Sequence, residues 1–268
     1  MLSICATPIG NLDDVTLRVL DELRSADIVL CEDTRRTRIL LDRHGISARL
    51  LSYQRHNEAA RTAEILPRLQ GGERVALVSD AGLPGVNDPG ARLIVASIAA
   101  GVTVTVLPGP SAVETALVAS GLGAERYQFL GYLPRGASAL ASLGEELAAW
   151  PNAAIAFESP QRIVDSLERL APALGERQVA VCRELTKKFE EVVRGSSASV
   201  AAQLRQPVKG EITLVVGGAE GTVEPEEASV AASAVAELVA AGVGRRAAAD
   251  LVGRLTGIAR NTLYRSSL

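Results

Sequence analysis

The sequence predicts an α/β protein built from two α/β domains, the first around a parallel sheet and the second around a mixed one, followed by a small helical unit. Three observations predict it. Through the first half, short β-branched runs alternate with longer stretches of helical spacing, the rhythm of βαβ units. Near residue 120 the tight Gly/Pro turns that follow each strand give way to strands alternating with Ala/Leu helices. The final stretch is helical and basic. The boundaries drawn from these shifts are 1–120, 121–221 and 222–268, with Gly121-Leu122-Gly123 as linker.

The elements follow in order. Ser3 to Thr7 reads as a strand leading into Pro8-Ile9-Gly10-Asn11 and then a helix with Leu17, Leu20 and Leu23 on one face. Ile28 to Cys31, Leu50 to Tyr53, Val75 to Ser79 and Val102 to Leu107 are further strands, with helices around 34–44, 57–71 and 90–100 between them. In the second half, Ala153 to Phe157, Val179 to Cys182 and Ile212 to Val216 are strands. Glu190 to Arg194, closed by Gly195, is an added strand that makes this sheet mixed. Ala228 to Ala241 is helical, Gly242-Val243-Gly244 breaks it, Arg245 to Leu255 is a second helix, and Thr256-Gly257 leads to a short third, a helix-turn-helix outline.

Composition narrows the function. The chain has 268 residues, 47% hydrophobic and 22% charged, so it buries a sizeable core. The net charge of −3 excludes a polycation, and any nucleic-acid contact must use local patches. One such patch is the tail, where Arg245, Arg246, Arg254, Arg260 and Arg265 face a single acid, Asp250. Arg35, Arg36 and Arg38 form another. Three cysteines without a CxxC pair and two histidines argue against a zinc site or a disulfide framework. The start shows no basic stretch followed by an apolar run, and no apolar run reaches the roughly 18 residues of a membrane span. A cytoplasmic, reduced protein without a membrane partner or a metal is expected.

The segment from Val78 to Gly90 (Val-Ser-Asp-Ala-Gly-Leu-Pro-Gly-Val-Asn-Asp-Pro-Gly) runs from a strand through a turn dense in Gly, Pro and Asp into a helix, with Asp88 or Asn87 as N-cap. Ligands of open α/β sheets sit at the carboxyl ends of strands, so this turn is a binding loop. Leu107-Pro108-Gly109-Pro110-Ser111-Ala112 repeats the design, with Ser111 capping the next helix, and Thr7 to Asn11 is a third such turn. Neither GxGxxG nor GxxxxGK[ST] occurs, which argues against a standard dinucleotide site and ATP hydrolysis. The polar groups follow other strand ends: Glu32 to Arg36, Phe157 to Pro160, and Arg183 to Lys188.

Ala6 to Asn11, Cys31 to Arg35, Ser79 to Gly82, Asp88 to Gly90 and Pro108 to Ala112 together resemble the tetrapyrrole methylase superfamily, as do Phe157 to Pro160, Arg183 to Lys187 and Lys209 to Glu211. The likeness covers almost the whole chain, and the Arg-Glu-Leu-Thr-Lys segment and the tail Gly257 to Tyr264 point to its 16S rRNA ribose-methylating branch. Where the family has Glu-Ser-Pro-His-Arg, this chain has Gln161 for the His. The resemblance implies a homodimer with S-adenosyl-L-methionine in a cleft between two α/β domains, acting on 16S rRNA in the small ribosomal subunit at a cytidine 2′-hydroxyl of the decoding region. The alternatives are a methylase of a small tetrapyrrole-like molecule and a cofactor- or RNA-binding module without catalysis.

By position, the family places the cofactor against Thr7, Pro8, Ile9 and Gly10; Asp80, Ala81, Gly82, Leu83 and Pro84; Ser111 and Ala112; Phe157 and Glu158; and Glu211 with Thr213. The donor's sulfonium loses its charge as the methyl moves, so backbone carbonyls and small residues suit it better than strong anionic pairing. A ribose hydroxyl is a weak acid. Glu184 or Glu158 is the expected proton acceptor, and Lys187 or Arg183 the expected phosphate contact.

Overall fold

The computed structural model describes residues 1–123, 125–204, 207–218, 225–256, 258, 260 and 263–264. The tail positions Gly257, Ala259, Asn261, Thr262 and Arg265 lie outside the described residues. Residues 1–148 and 152–217 form one compact unit; residues 149–151 and 218–268 form another. Among the described residues, no helix is long and apolar enough to cross a membrane.

The first sheet has five parallel strands: β1 (Leu2–Cys5), β2 (Ile28–Cys31), β3 (Leu50–Ser52), β4 (Val75–Val78) and β5 (Val104–Leu107), in the order β3-β2-β4-β1-β5. The central strands β1, β2 and β4 are buried throughout, as a sheet covered on both faces requires. Alternate residues feed opposite faces. Cys5, Val29, Cys31, Ala76 and Val78 pack with Val19 and Leu23 of α1 (Leu17–Ser25) and Leu40 and Leu41 of α2 (Thr34–Arg43). Leu2, Ile4, Ile28, Leu30, Val75 and Leu77 pack with Ile65 and Leu69 of α3 (Glu58–Gln70) and Leu93 of α4 (Ala91–Ala99).

The second sheet is mixed, as expected: β6 (Tyr127–Tyr132), β7 (Ala153–Glu158), β8 (Gln178–Arg183), β9 (Glu191–Ser196) and β10 (Ile212–Val216), in the order β6-β7-β10-β8-β9. Only β6 and β7 run parallel. Ala153, Ile155, Ala180, Cys182 and Val215 meet Val113, Ala116 and Leu117 of α5 (Ala112–Ser120), so the helix that follows the first sheet packs against the second. Helices α6 (Ala137–Ala149), α7 (Ile163–Leu174) and α8 (Ser197–Gln203) complete this half. In the C-terminal unit, α9 (Pro225–Ala240) and α10 (Arg245–Thr256) share an apolar core of Ala231, Val235, Ala248, Ala249, Val252, Ile258 and Leu263.

Several local expectations change. The first strand ends at Cys5 because Thr7 turns away to pair antiparallel with Gly82. Neither Asp88 nor Asn87 caps α4. Gly90, at φ +141°, holds the cap position, and Glu58 of α3 accepts from the Gly90 and Arg92 amides at 3.1 and 3.4 Å, so a neighbouring helix supplies the cap. Ser111 occupies the N-cap of α5, but its hydroxyl bonds Glu114 rather than a backbone amide. Strand β6 was not anticipated: its Tyr-Gln-Phe-Leu-Gly-Tyr run carries a register irregularity between Phe129 and Tyr132.

Arg177 ties the second half together from within. It is 8% exposed, and its guanidinium donates to the carbonyls of Gly217 at 2.6 Å, Asn152 at 3.1 Å and Leu147. Arg177→Met keeps much of the aliphatic stem and strands those carbonyls, at an expected cost of about 2–4 kcal/mol. Urea denaturation checks this; a midpoint within the error of the wild type would refute it.

Candidate active site

Strands β4, β1 and β5 are adjacent and parallel, so the turns after them emerge side by side at one edge. They are stitched together. The Thr7 amide donates to the Gly82 carbonyl at 2.8 Å, the Gly82 amide to the Thr7 carbonyl at 3.0 Å, and the Thr7 hydroxyl to the Ser79 carbonyl at 3.0 Å. Gly82 sits at φ +74°, and a Cβ on Gly109 would come within 2.9 Å of the Ala6 Cβ, so both turns depend on glycine. Opposite them lie the end of β7 and the start of β10, which pair Glu158 with Ile212. Between the walls is a cleft of about 830 Å³, floored by Asp80 to Leu83 and Pro108 to Val113 and faced by Phe157, Gly210 and Thr213. Phe157 stands edge-on to Phe129 and Tyr132, with centroids 5.0 and 5.6 Å away.

A second, smaller pocket of about 300 Å³ adjoins the cleft, sharing Ile9, Arg36, Asp80, Ala81 and Glu211 with it. It is lined by Thr7 to Gly10, by Arg36, Thr37, Ile39 and Leu40 of α2, and by Lys187. Here Lys187 Nζ donates to Glu184 Oε1 at 2.8 Å and to Glu211 Oε2 at 2.9 Å. The Glu211 amide also donates to Glu184 Oε1 at 3.0 Å. Lys187 holds the Glu184 carboxyl below its ordinary pKa. Burial works to lower the Lys187 pKa, but the two carboxylates outweigh it and raise it, so the ammonium is the resting form. The loop that builds this chain is strained: Glu184 and Thr186 sit at φ +51° and +65°, conformations costing about 1–3 kcal/mol each for non-glycine residues.

The family model of Tetrapyrrole (Corrin/Porphyrin) Methylases matches residues 1–201. The chain belongs to that tetrapyrrole methylase family. Proteins named Ribosomal RNA small subunit methyltransferase I are similar over nearly the whole length. That of Mesorhizobium japonicum is 45% identical over 100% of this chain and 91% of its own, and that of Micromonospora olivasterospora 43% over 98% and 85%. Among solved structures, a diphthine synthase superposes with TM-score 0.63 at 14% identity, covering 81% of this chain and 89% of its own. A Thermus thermophilus uroporphyrin-III C-methyltransferase, complexed with S-adenyl homocysteine, gives TM-score 0.54 at 17% identity over 81% and 96%. Both share this methylase fold.

The sequence-predicted residues divide by place. Ile9, Asp80, Ala81, Gly82, Leu83, Ser111, Ala112, Phe157, Glu158, Glu211 and Thr213 line the large cleft. Thr7, Pro8, Gly10 and Lys187 line the small pocket. Pro84 is buried and lines neither. Glu158, 3% exposed, accepts from the Ser159 amide and the Ser166 hydroxyl, both at 2.7 Å, and pairs with Arg162 at 3.2 Å. Arg183 turns to Glu191 on β9, at 2.9 Å. Glu184 reaches the site through Lys187 and Glu211. Sequence reasoning did not place Tyr127 in the site; it had Asp88 in the binding loop only as a cap candidate and Gly210 only within a family motif. Gly210 had a signal, its position just before β10; at φ +94°, a Cβ there would lie 2.4 Å from the Glu184 Cγ.

Asp88 faces the cleft beside two other acids. Burial, then the charges of Glu32 and Asp80, push its pKa up from 3.8 to about 6. Burial and Asp80 raise Glu32 as well. Because the folded pKa of Asp88 lies above the unfolded one, its contribution to stability is fully present below 3.8 and is lost as pH rises through about 6. Asp88→Asn removes that loss. The variant is expected to be about 1 kcal/mol more stable than wild type at pH 7.5, after allowing for solvent at a half-buried group, and to show no gain at pH 4. Urea denaturation at the two pH values decides; an equal difference at both contradicts the assignment.

Proposed function

We propose that this protein is a ribose methyltransferase that transfers a methyl group to the 2′-hydroxyl of a cytidine in the decoding region of 16S rRNA. Its cofactor is S-adenosyl-L-methionine. Relatives carrying the rRNA small subunit methyltransferase name at 38–45% identity support an rRNA substrate. The observation that carries the ribose reading is the carboxylate–ammonium–carboxylate chain of Glu184, Lys187 and Glu211 at the junction of cleft and pocket.

The large cleft fits the cofactor. Its volume lies within the roughly 300–1,000 Å³ of small-molecule sites. Its glycine-built turns expose backbone beside apolar Leu83, Ala112 and Phe157. Asp80 to Leu83, Ser111, Ala112, Phe157 and Thr213 would hold the cofactor, which supplies a methyl group activated on a sulfonium centre. The chain's own residues do the rest. Glu184 Oε1 is engaged by Lys187 and the Glu211 amide, and the carboxylate accepts the hydroxyl proton as the ribose oxygen is methylated. The Lys187 ammonium stands beside that oxygen and stabilises its developing negative charge. Glu158, with its oxygens tied to Ser159, Ser166 and Arg162, holds the end of β7 and the Arg162–Pro134 contact in place. Positioning contributes the largest share, up to about 7–11 kcal/mol.

We infer a division of labour along the chain, with residues 1–120 and 121–221 forming the cofactor halves and 222–268 recognising RNA through its arginines. A cytoplasmic homodimer completes this reading.

Three measurements test it. Labelled methyl transfer to 30S subunits lacking the modification, followed by nuclease digestion, is expected to place the label on a cytidine ribose. Glu184→Gln should lower kcat at least about 100-fold with cofactor affinity within twofold, since proton assistance contributes about 10²–10⁴-fold. A loss under tenfold removes Glu184 from the role. Deleting 222–268 should abolish transfer to subunits while calorimetry still detects cofactor binding; retained transfer contradicts the tail's role.

A further inference from the structure

The small pocket adjoins the large cleft and shares Ile9, Arg36, Asp80, Ala81 and Glu211 with it. We propose that it is the acceptor-nucleotide subsite, taking one nucleotide of single-stranded RNA with its phosphodiester on Arg36 and its ribose hydroxyls on the Lys187–Glu211 pair. The inference rests on the reaction proposed above and says where its acceptor sits. The pocket's volume of about 300 Å³ suits a single nucleoside rather than a stacked helix. It opens into the large cleft through Ile9, Ala81 and Glu211, so a ribose held there lies next to the methyl donor's cleft. A paired strand presents its bases edge-on, whereas an unstacked nucleotide can enter.

The charges divide the pocket into two ends. At one, Lys187 is already shared by Glu184 and Glu211, so this end carries net negative charge and repels a phosphate but accepts hydroxyl donors. At the other, Arg36 reaches Asp80 at 3.3 Å, with the Arg side chain 63% exposed. An ion pair that long and that wet contributes about 0–1 kcal/mol, so a phosphodiester exchanges for it readily. Asp80 is not left bare by the exchange, because the Asp33 amide donates to it at 3.0 Å. Between the two ends, Ile39 lines the pocket while 60% exposed, an aliphatic surface on the rim against which a base can lie.

The test uses the full protein saturated with S-adenosyl homocysteine and 30S subunits lacking the modification, with affinity measured across salt concentration. Arg36→Ala is expected to weaken subunit binding about tenfold and to reduce the salt slope by about one. Ile39→Trp, which fills the pocket from an exposed position, is expected to weaken it about tenfold with the slope unchanged. Calorimetry should find homocysteine-product affinity within twofold of wild type for both. Subunit binding at wild-type strength in both variants overturns the subsite, as does a loss of product affinity in parallel with subunit affinity. With S-adenosyl-L-methionine in place of the product, wild type that binds subunits but transfers no methyl overturns the proposed reaction alone; wild type that does not bind them overturns both.

Discussion

Gly10 has no side chain, and the loop from Leu185 to Lys187 occupies the space where one would be. A Cβ on Gly10 would lie 2.5 Å from the Lys187 Cγ, 2.8 Å from the Thr186 hydroxyl and 2.9 Å from the Leu185 carbonyl. The Asn11 amide donates to that same Thr186 hydroxyl at 3.0 Å. One turn of the first sheet is thereby pressed against one strained loop of the second, and the cleft and its side pocket are the space that remains around the contact. The positive φ of Thr186 persists because both sides of this contact demand it.

The fold reinforces that contact elsewhere. Ile9 joins the core of the second sheet, and α5 leaves the first sheet only to pack on β7, β8 and β10. The two sheets therefore cannot be treated as halves that merely face one another. A shift of one against the other would break the Thr7–Gly82 ladder's alignment with Glu211 as well as the apolar packing beneath it.

Two glutamates at strand ends illustrate how environment assigns roles. Glu158 and Glu184 both follow β-branched or apolar runs and look alike in sequence. Glu158 is enclosed and its oxygens are satisfied by Ser159, Ser166 and Arg162. Glu184 is bridged to Lys187, which lines the small pocket, and that bridge holds its carboxyl in the charged form. The acids around Asp88 are a third case, in which crowding raises pKa values instead of lowering them.

The sequence by itself determined the strands of the first sheet, the mixed character of the second and the glycine- and proline-rich turns after β1, β4 and β5, because these depend on local periodicity and on glycine and proline chemistry. It also determined the family, through motifs spread from Ala6 to Glu211. Only the tertiary structure decided that Glu58 caps α4, that Arg183 turns away to Glu191, and that Lys187 bridges two carboxylates. It decided too that Arg36 and Lys187 line one pocket. These are contacts between residues dozens to well over a hundred positions apart or across a loop with unusual φ, and no short-range pattern encodes them. Strand β6 escaped for the same reason: its mixed-polarity residues become a strand only when β7 provides the hydrogen bonds.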